Sequence, residues 1–254
     1  MNKVYLGDCL EVMKSIADKS IDMILCDLPY GTTACKWDTI ISFEPLWEQY
    51  KRIIKDNGAI VLTASQPFTS ALVMSNPDMF KYCWIWQKNR HSSPLLAKKQ
   101  PLRIYEDICV FYKKQCTYNP QGIMAINRKM KNSVSAGGEI INSVRGSSNL
   151  KGEFTQEFTN YPIQVQKFDN EINGVHGTQK PVALFEYLIK TYTNEGDIVL
   201  DNCAGSFTTA IAAENTKRNW ICMEQLEEYC EIGKKRINEN RLRLGILDNC
   251  DIIK

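Results

Sequence analysis

Short apolar runs alternate along the chain with segments whose apolar residues recur every three or four positions. This alternation predicts strands interleaved with helices. In "DCLEVMKSIAD", Leu10, Val12, Met13 and Ile16 take helical spacing, and "IDMILCD" follows as a short buried strand. "FEPLWEQYKRIIKDNG" carries Leu46, Tyr50, Ile53 and Ile54 on one face, with Gly58 where a helix would end. Further strands are expected at "AIVLTAS", "KYCWIW" and "EDICVFYK". Residues 115–175 break the pattern: they are rich in Asn, Ser, Gly and Gln and show no sustained period. After them, "PVALFEYLIKTYT" opens a helix with Pro181, a favoured first helical residue. A strand "DIVLD", a helix "TTAIAAENT", a strand "NWICME" and a long helix "LEEYCEIGKKRINENRLRL" complete the series. The expectation is an α/β fold: a mostly parallel sheet with helices on both faces, its halves at 1–114 and 176–254 flanking an inserted lobe at 115–175.

A length of 254 residues suits one large domain, or a core domain with an insertion. No apolar run approaches the roughly 18 residues of a membrane span, and "MNKVYLGD" lacks an apolar leader core. A cytoplasmic protein without membrane contact is expected. The ten cysteines are scattered, none in a C-x-x-C pair, and the only histidines are His91 and His176. Free thiols in a reducing compartment and no metal site follow from that spacing.

The net charge of +2 hides an uneven distribution. Between Lys81 and Lys114, eight basic residues face only Glu106 and Asp107, and Trp84, Trp86, His91 and Tyr105 are interleaved with them. Cations mixed with aromatics suit a polyanion that also offers bases; a solvated surface loop is the plain alternative. Lys88, Arg90, Lys98, Lys99 and Arg103 are the candidate nucleic-acid contacts. Trp84, Trp86 and Trp220 are expected in the core.

Two strand ends carry unusual chemistry, and ligands of open α/β sheets sit beyond the carboxyl ends of strands. The first is "DLPYG". Asp27 can accept a hydrogen bond from an exocyclic amine, the Leu28 carbonyl can accept a second, Pro29 fixes the turn, and Tyr30 can stack on an extruded base. The second is "DNCAGSFTTAIAAE", where Asp201 precedes a small-residue turn and a helix N-terminus, with Glu224 closing the next strand at ribose-binding distance in sequence. The Gly-x-Gly-x-x-Gly spacing of dinucleotide sites is absent. A nucleoside with a short charged tail, such as S-adenosylmethionine, fits better.

These residues resemble the amino-group DNA methyltransferases, in which an Asp-Pro-Pro-Tyr signature methylates adenine N6 or cytosine N4. The resemblance covers nearly the whole chain: "GDCLEVMKSIADKSIDMILCDLPYG", "GAIVLTASQPFTSAL", "WIWQKNRHSSPLLAKKQPLRIYEDICVFYK", "HGTQKPVALFEYLI" and the cofactor loop. Catalytic motif first and cofactor motif last is the order of the β group, with 115–175 as the target-recognition region. The resemblance implies catalytic roles for Asp27, Leu28, Pro29 and Tyr30. It implies cofactor contacts for Asp8, Cys9, Asp27, Lys180, Pro181, Asp201, Cys203, Ala204, Gly205, Ser206, Phe207, Thr208, Thr209 and Glu224. Asp8 reads equally as a helix N-cap, and His176 as a polar loop residue. Double-stranded DNA is the implied partner, with a homodimer as a family expectation and no sign of whether a cognate nuclease exists. Asp at position 27 favours adenine N6; cytosine N4, RNA, or an inactive DNA-binding relative are the alternatives. Leu28, Asn202, Cys203 and Phe207 depart from the family pattern. For Phe207, one residue before the helix, a negative φ and a ring beside the cofactor pocket are expected.

Overall fold

The computed structural model describes residues 2–33, 35, 38–92, 94–131, 153–171 and 179–253. Two compact units emerge: Met1–Asn119 with Gln164–Lys254, and Pro120–Ile163.

Among the described residues, the larger unit is built on a nine-stranded sheet. Its strands are β1 (Lys3–Leu6), β2 (Ile21–Asp27), β3 (Ile54–Ala64), β4 (Phe80–Ser92), β5 (Arg103–Phe111), β8 (Val165–Lys167), β9 (Ile198–Asp201), β10 (Asn219–Glu224) and β11 (Ile252–Ile253). They lie in the order β11-β1-β10-β9-β2-β3-β5-β4-β8, and β5 alone runs antiparallel to its neighbours. The helices are α1 (Cys9–Met13), α2 (Phe43–Ile53), α3 (Phe68–Ser75), α4 (Val182–Tyr192), α5 (Thr208–Asn215) and α6 (Glu227–Leu244).

Successive strand residues point to opposite faces, and here both faces are covered. Met23, Leu25, Val61, Val199 and Cys222 pack with Leu184, Phe185, Ala210 and Ile237 from α4, α5 and α6. Ile24, Cys26, Ile60, Leu200 and Ile221 pack with Met13, Leu46, Trp47 and Leu72 from α1, α2 and α3. Burial on both sides is why these strands are continuous apolar runs and not alternating ones. Trp84, Trp86 and Trp220 are core residues as expected.

Three local expectations are corrected. Gly58 does not end a helix: α2 stops at Ile53 and β3 begins at Ile54, so Gly58 lies inside the strand. A Cβ there would come within 2.8 Å of the Asp22 carbonyl and 2.7 Å of Ile54, at the register shift between β2 and β3. Glycine is required by close approach. Pro181 caps α4 from outside its first turn. Val165–Lys167, expected within the 115–175 lobe, instead pair with Ile85–Gln87 in the main sheet.

Among the described residues, the smaller unit contains two antiparallel strands, β6 (Met124–Lys131) and β7 (Glu153–Thr159). Asn160 takes a left-handed φ of 60° and donates its side-chain amide to the Gly122 carbonyl at 2.6 Å, tying the chain entering β6 to the chain leaving β7. All ten cysteines are free thiols. Among the described residues no helix is long and apolar enough to cross a membrane, and no cluster of metal-ligating side chains occurs.

Candidate active site

The carboxyl ends of β1, β2, β9 and β10 open into a cavity of about 1090 Å³. One part of its wall is Gly7, Asp8, Cys9, Leu10, Asn202, Cys203, Gly205 and Glu224; another is Asp27, Leu28, Pro29, Tyr30, Trp86, Lys88, Glu106 and Lys180. Residues from both strand-end motifs therefore share one space.

Asp27 is the last residue of β2 and stands in register with Thr63 on β3. Its Oδ1 accepts hydrogen bonds from the Tyr30 hydroxyl at 2.8 Å and from the Thr63 hydroxyl. Its Oδ2 accepts from the Lys180 ammonium at 2.6 Å. Lys180 is only 6% exposed and also lies 3.3 Å from Glu106 Oε2. Burial would lower the pKa of this ammonium, but the charges of Asp27 and Glu106 outweigh it and hold it above its ordinary value. Glu106 in turn takes the Lys88 ammonium at 2.5 Å, and that ammonium sits 4.9 Å over the Trp86 ring. The Tyr30 ring stacks on Phe68 at 5.2 Å. Burial, then the charges of Asp27 and Glu106, push its phenol well above the usual range, so it stays a neutral donor.

The chain after the motif is shaped by Asp38, whose carboxylate accepts from the backbone N–H groups of Gly31, Thr32 and Thr33 at 2.8, 2.9 and 2.7 Å. Burial alone would raise this carboxyl; the Thr33 hydroxyl and the three amides together pull it below its usual value.

The second motif is knit by its own backbone. Glu224 Oε2 accepts from Gly205 N–H and Oε1 from Leu226 N–H, both at 2.9 Å, and the Glu224 carbonyl accepts from Gly7 N–H at 2.9 Å. Asp201 is buried, accepts from Cys203 N–H at 3.0 Å and from the Thr209 hydroxyl at 2.5 Å, and burial lifts its carboxyl to about 6. The cavity wall excludes Asp201, Ala204, Ser206, Phe207, Thr208 and Thr209, all of them buried. They support the loop that presents Cys203 and Gly205. Asp8 caps α1, accepting from Leu10 N–H at 2.8 Å, and also lines the cavity. Asn202, at a departure from the family pattern, is held by the Tyr50 hydroxyl at 2.6 Å.

Phe207 requires a correction. Its φ is +62°, the left-handed region, not the negative value expected one residue before a helix. Its ring is fully buried and packs onto Gly233 of α6, not beside the cavity. The backbone keeps the conformation a glycine would adopt there, and the ring is accommodated because α6 carries no side chain opposite it.

The basic residues separate. Lys88 is half-buried in the cavity wall, bound to Glu106. Arg103 stands at the cavity with an exposed side chain, and Arg90, Lys98 and Lys99 are exposed. Pro181 lines a second cavity of about 730 Å³, with Lys88 and Phe168. His176 lies outside the described residues. Thr63, Asp38 and Glu106 are site residues that the sequence reading missed.

A family model described as DNA methylase, covering N6 and N4 methyltransferases, matches residues 21–235. The chain belongs to the N6/N4 DNA methylase family. Its curated relatives include the DNA adenine methyltransferase YhdJ of Escherichia coli (strain K12), 29% identical over 252 residues covering 91% of this chain and 81% of the relative. The type II methyltransferase M.HpaI of Haemophilus parainfluenzae is 26% identical over 93% of this chain and 74% of its own. The fold matches the M1.HpyAVI–S-adenosylmethionine complex with a TM-score of 0.64 at 22% identity, covering 94% of this chain and 100% of that one. It also matches the cytosine-N4-specific PvuII DNA methyltransferase with a TM-score of 0.64 at 18% identity, over 99% and 95% of the two chains.

S-adenosylmethionine is the methyl donor of this methylase family. The donor set here suits it: the cavity wall includes the carboxylates of Asp8 and Glu224 together with Cys9, Leu10 and Cys203. Those carboxylates favour a cationic ligand and can accept from ribose hydroxyls.

Proposed function

We propose that this N6/N4 methylase methylates the N6 amine of an adenine extruded from double-stranded DNA into the Asp27–Tyr30 part of the cavity. One observation carries the reading: after Tyr30, Thr63 and Lys180 have been counted, Asp27 Oδ2 retains one acceptor site, and Asp27 lines the same cavity as Asn202, Cys203 and Gly205 of the cofactor loop. An amine donating to that oxygen and to the Leu28 carbonyl keeps its lone pair clear for attack. Bound S-adenosylmethionine supplies an activated methyl group on a sulfonium. An amine taking up that methyl group would gain positive charge, which it would lose by releasing a proton. The Asp27 carboxylate is placed to stabilise that charge, and alignment in a confined site supplies much of the acceleration.

In the same reading Glu224 accepts from ribose hydroxyls, Asp8 and Cys9 flank the adenosine, and Tyr30 and Trp86 bound the base. Arg90, Lys98, Lys99 and Arg103 contact phosphates. The 115–175 region contributes target recognition. Adenine over cytosine is supported by Asp at position 27 and by the adenine enzyme among the relatives. The type II relatives make a cytoplasmic restriction–modification system the proposed setting.

The test is chemical. Duplex DNA methylated by the purified protein is digested to nucleosides and analysed by mass spectrometry. N6-methyldeoxyadenosine is the expected product. N4-methyldeoxycytidine would transfer the enzyme to the cytosine class, and methylation of RNA in preference to DNA would displace the reading altogether.

A further inference from the structure

Four side chains of alternating formal charge run through the cavity wall: Lys88, Glu106, Lys180 and Asp27, linked at 2.5, 3.3 and 2.6 Å. Their formal charges cancel. Each end is anchored in the sheet, since Lys88 belongs to β4, Asp27 ends β2, and Glu106 on β5 stands in register with Trp86 on β4. Lys180 has almost no access to water, so its N–H groups must be met by these two carboxylates. Glu106 Oε2 is itself buried. Among the described residues it has no well-formed hydrogen bond, only the Lys180 ammonium at ion-pair distance.

We propose that Glu106 is a positioning residue for methyl transfer: by sharing the Lys180 ammonium, it keeps an acceptor site on Asp27 open to the target amine. This rests on the reading of Asp27 as that amine's acceptor. An ammonium between two carboxylates is pulled by both. With one removed, it turns its donors to the other and competes there for the remaining lone pair. Asp27 Oδ1 cannot compensate, because the hydroxyls of Tyr30 and Thr63 already occupy it. Glu106 also adds a negative charge near the site where the amine becomes cationic, and Lys88 holds that carboxylate through its other oxygen, Oε1.

Charge, not shape, is the operative property, and two substitutions separate them. Glu106→Gln keeps the outline and removes the charge; Glu106→Asp keeps the charge and shortens the reach. Tritiated methyl transfer to duplex DNA should show kcat lowered about tenfold or more in Glu106→Gln, with KM for DNA unchanged within about twofold. Calorimetric affinity for S-adenosylhomocysteine should also be unchanged. Glu106→Asp should be the more active of the two. A glutamine variant with wild-type kcat, or one more active than the aspartate variant, would overturn the proposal. So would a fall in kcat accompanied by equal losses of DNA and S-adenosylhomocysteine binding, since that marks a purely structural residue. Should the glutamine variant fail to fold, the aspartate variant still decides: kcat no better than in Glu106→Ala would refute a role for the charge. Asp27→Ala in the same assay distinguishes the two levels. If it remains active the acceptor reading falls, whereas an inactive Asp27→Ala beside a fully active Glu106→Gln removes Glu106 alone.

Discussion

The ring of Phe207 fills the space that a side chain on Gly233 would need: a Cβ added at Gly233 would overlap the ring carbons. These residues sit on different elements, one on the turn that presents Cys203 and Gly205 to the cavity, the other on α6. The pairing explains how a bulky residue occupies a left-handed position in the cofactor loop. Burying the ring offsets the roughly 1–3 kcal/mol that such a backbone conformation costs. Arg236, one turn further along α6, donates to the Ser206 carbonyl and fastens the same loop.

Gly233→Ala is therefore expected to destabilise the protein by about 1–3 kcal/mol through overpacking. Phe207→Ala should cost about 3–5 kcal/mol through the cavity it leaves. The two should be non-additive, the alanine at 233 being tolerated once the ring is gone. Urea denaturation of the single and double variants checks this. A Gly233→Ala variant as stable as wild type would show that the loop and α6 are not packed as described.

Asp201 makes stability depend on pH in a calculable direction. Burial raises its carboxyl to about 6 in the folded protein, above the ordinary value of 3.8. Between those values the folded state holds a proton that the unfolded state releases, so stability from this group rises as pH falls from 7 towards 4. From pH 7 to pH 5 the gain is about 1 kcal/mol, equivalent to about 2–4 °C in melting temperature for a protein of this size. The comparison to make is wild type against Asp201→Asn, by thermal melting at both pH values. The asparagine variant should lack this increment; identical pH dependence in the two would show that Asp201 is not the buried titrating group.

Lys98 and Lys99 are exposed, beyond the 3-10 turn Pro94–Leu96. Reversing both to Glu should weaken DNA binding and reduce the slope of log affinity against log salt by about 0.9 for each lost phosphate contact. S-adenosylhomocysteine binding should be unchanged. A salt slope equal to wild type would return these lysines to solvent.

Much of this architecture was legible because the parallel strands are buried on both faces, so each is a continuous apolar run that ends where polar chemistry begins. Asp27 and Glu224 announce themselves as acids closing such runs. The boundary at Ile53–Ile54 was hidden because both residues are apolar and belong to the same face pattern, so α2 flows into β3 without a turn signal. Thr63 and Glu106 were missed for a different reason: their meaning depends on strand register and on a lysine far along the chain. A polar residue closing "AIVLT", next to the strand that ends in Asp27, was the signal available for Thr63. Asp38 could have been found as an acid a few residues past a glycine-containing turn. For Phe207, the residue that permits it, Gly233, lies in a helix whose spacing says nothing about the loop.

Asp27, as proposed above, holds the amine that receives the methyl group. Asp27→Ala should leave the fold intact, because Lys180 still has Glu106 as its counter-ion. The measurement is the single-turnover rate of tritiated methyl transfer to duplex DNA, for wild type and Asp27→Ala, with S-adenosylhomocysteine affinity measured alongside. Loss of one contact to charge developing in the transition state lowers the rate by about 10² or more, so the variant should be slower by at least that factor while still binding S-adenosylhomocysteine. A variant that keeps more than about a tenth of the wild-type rate would contradict the account, since such a loss is well short of what removing that contact costs.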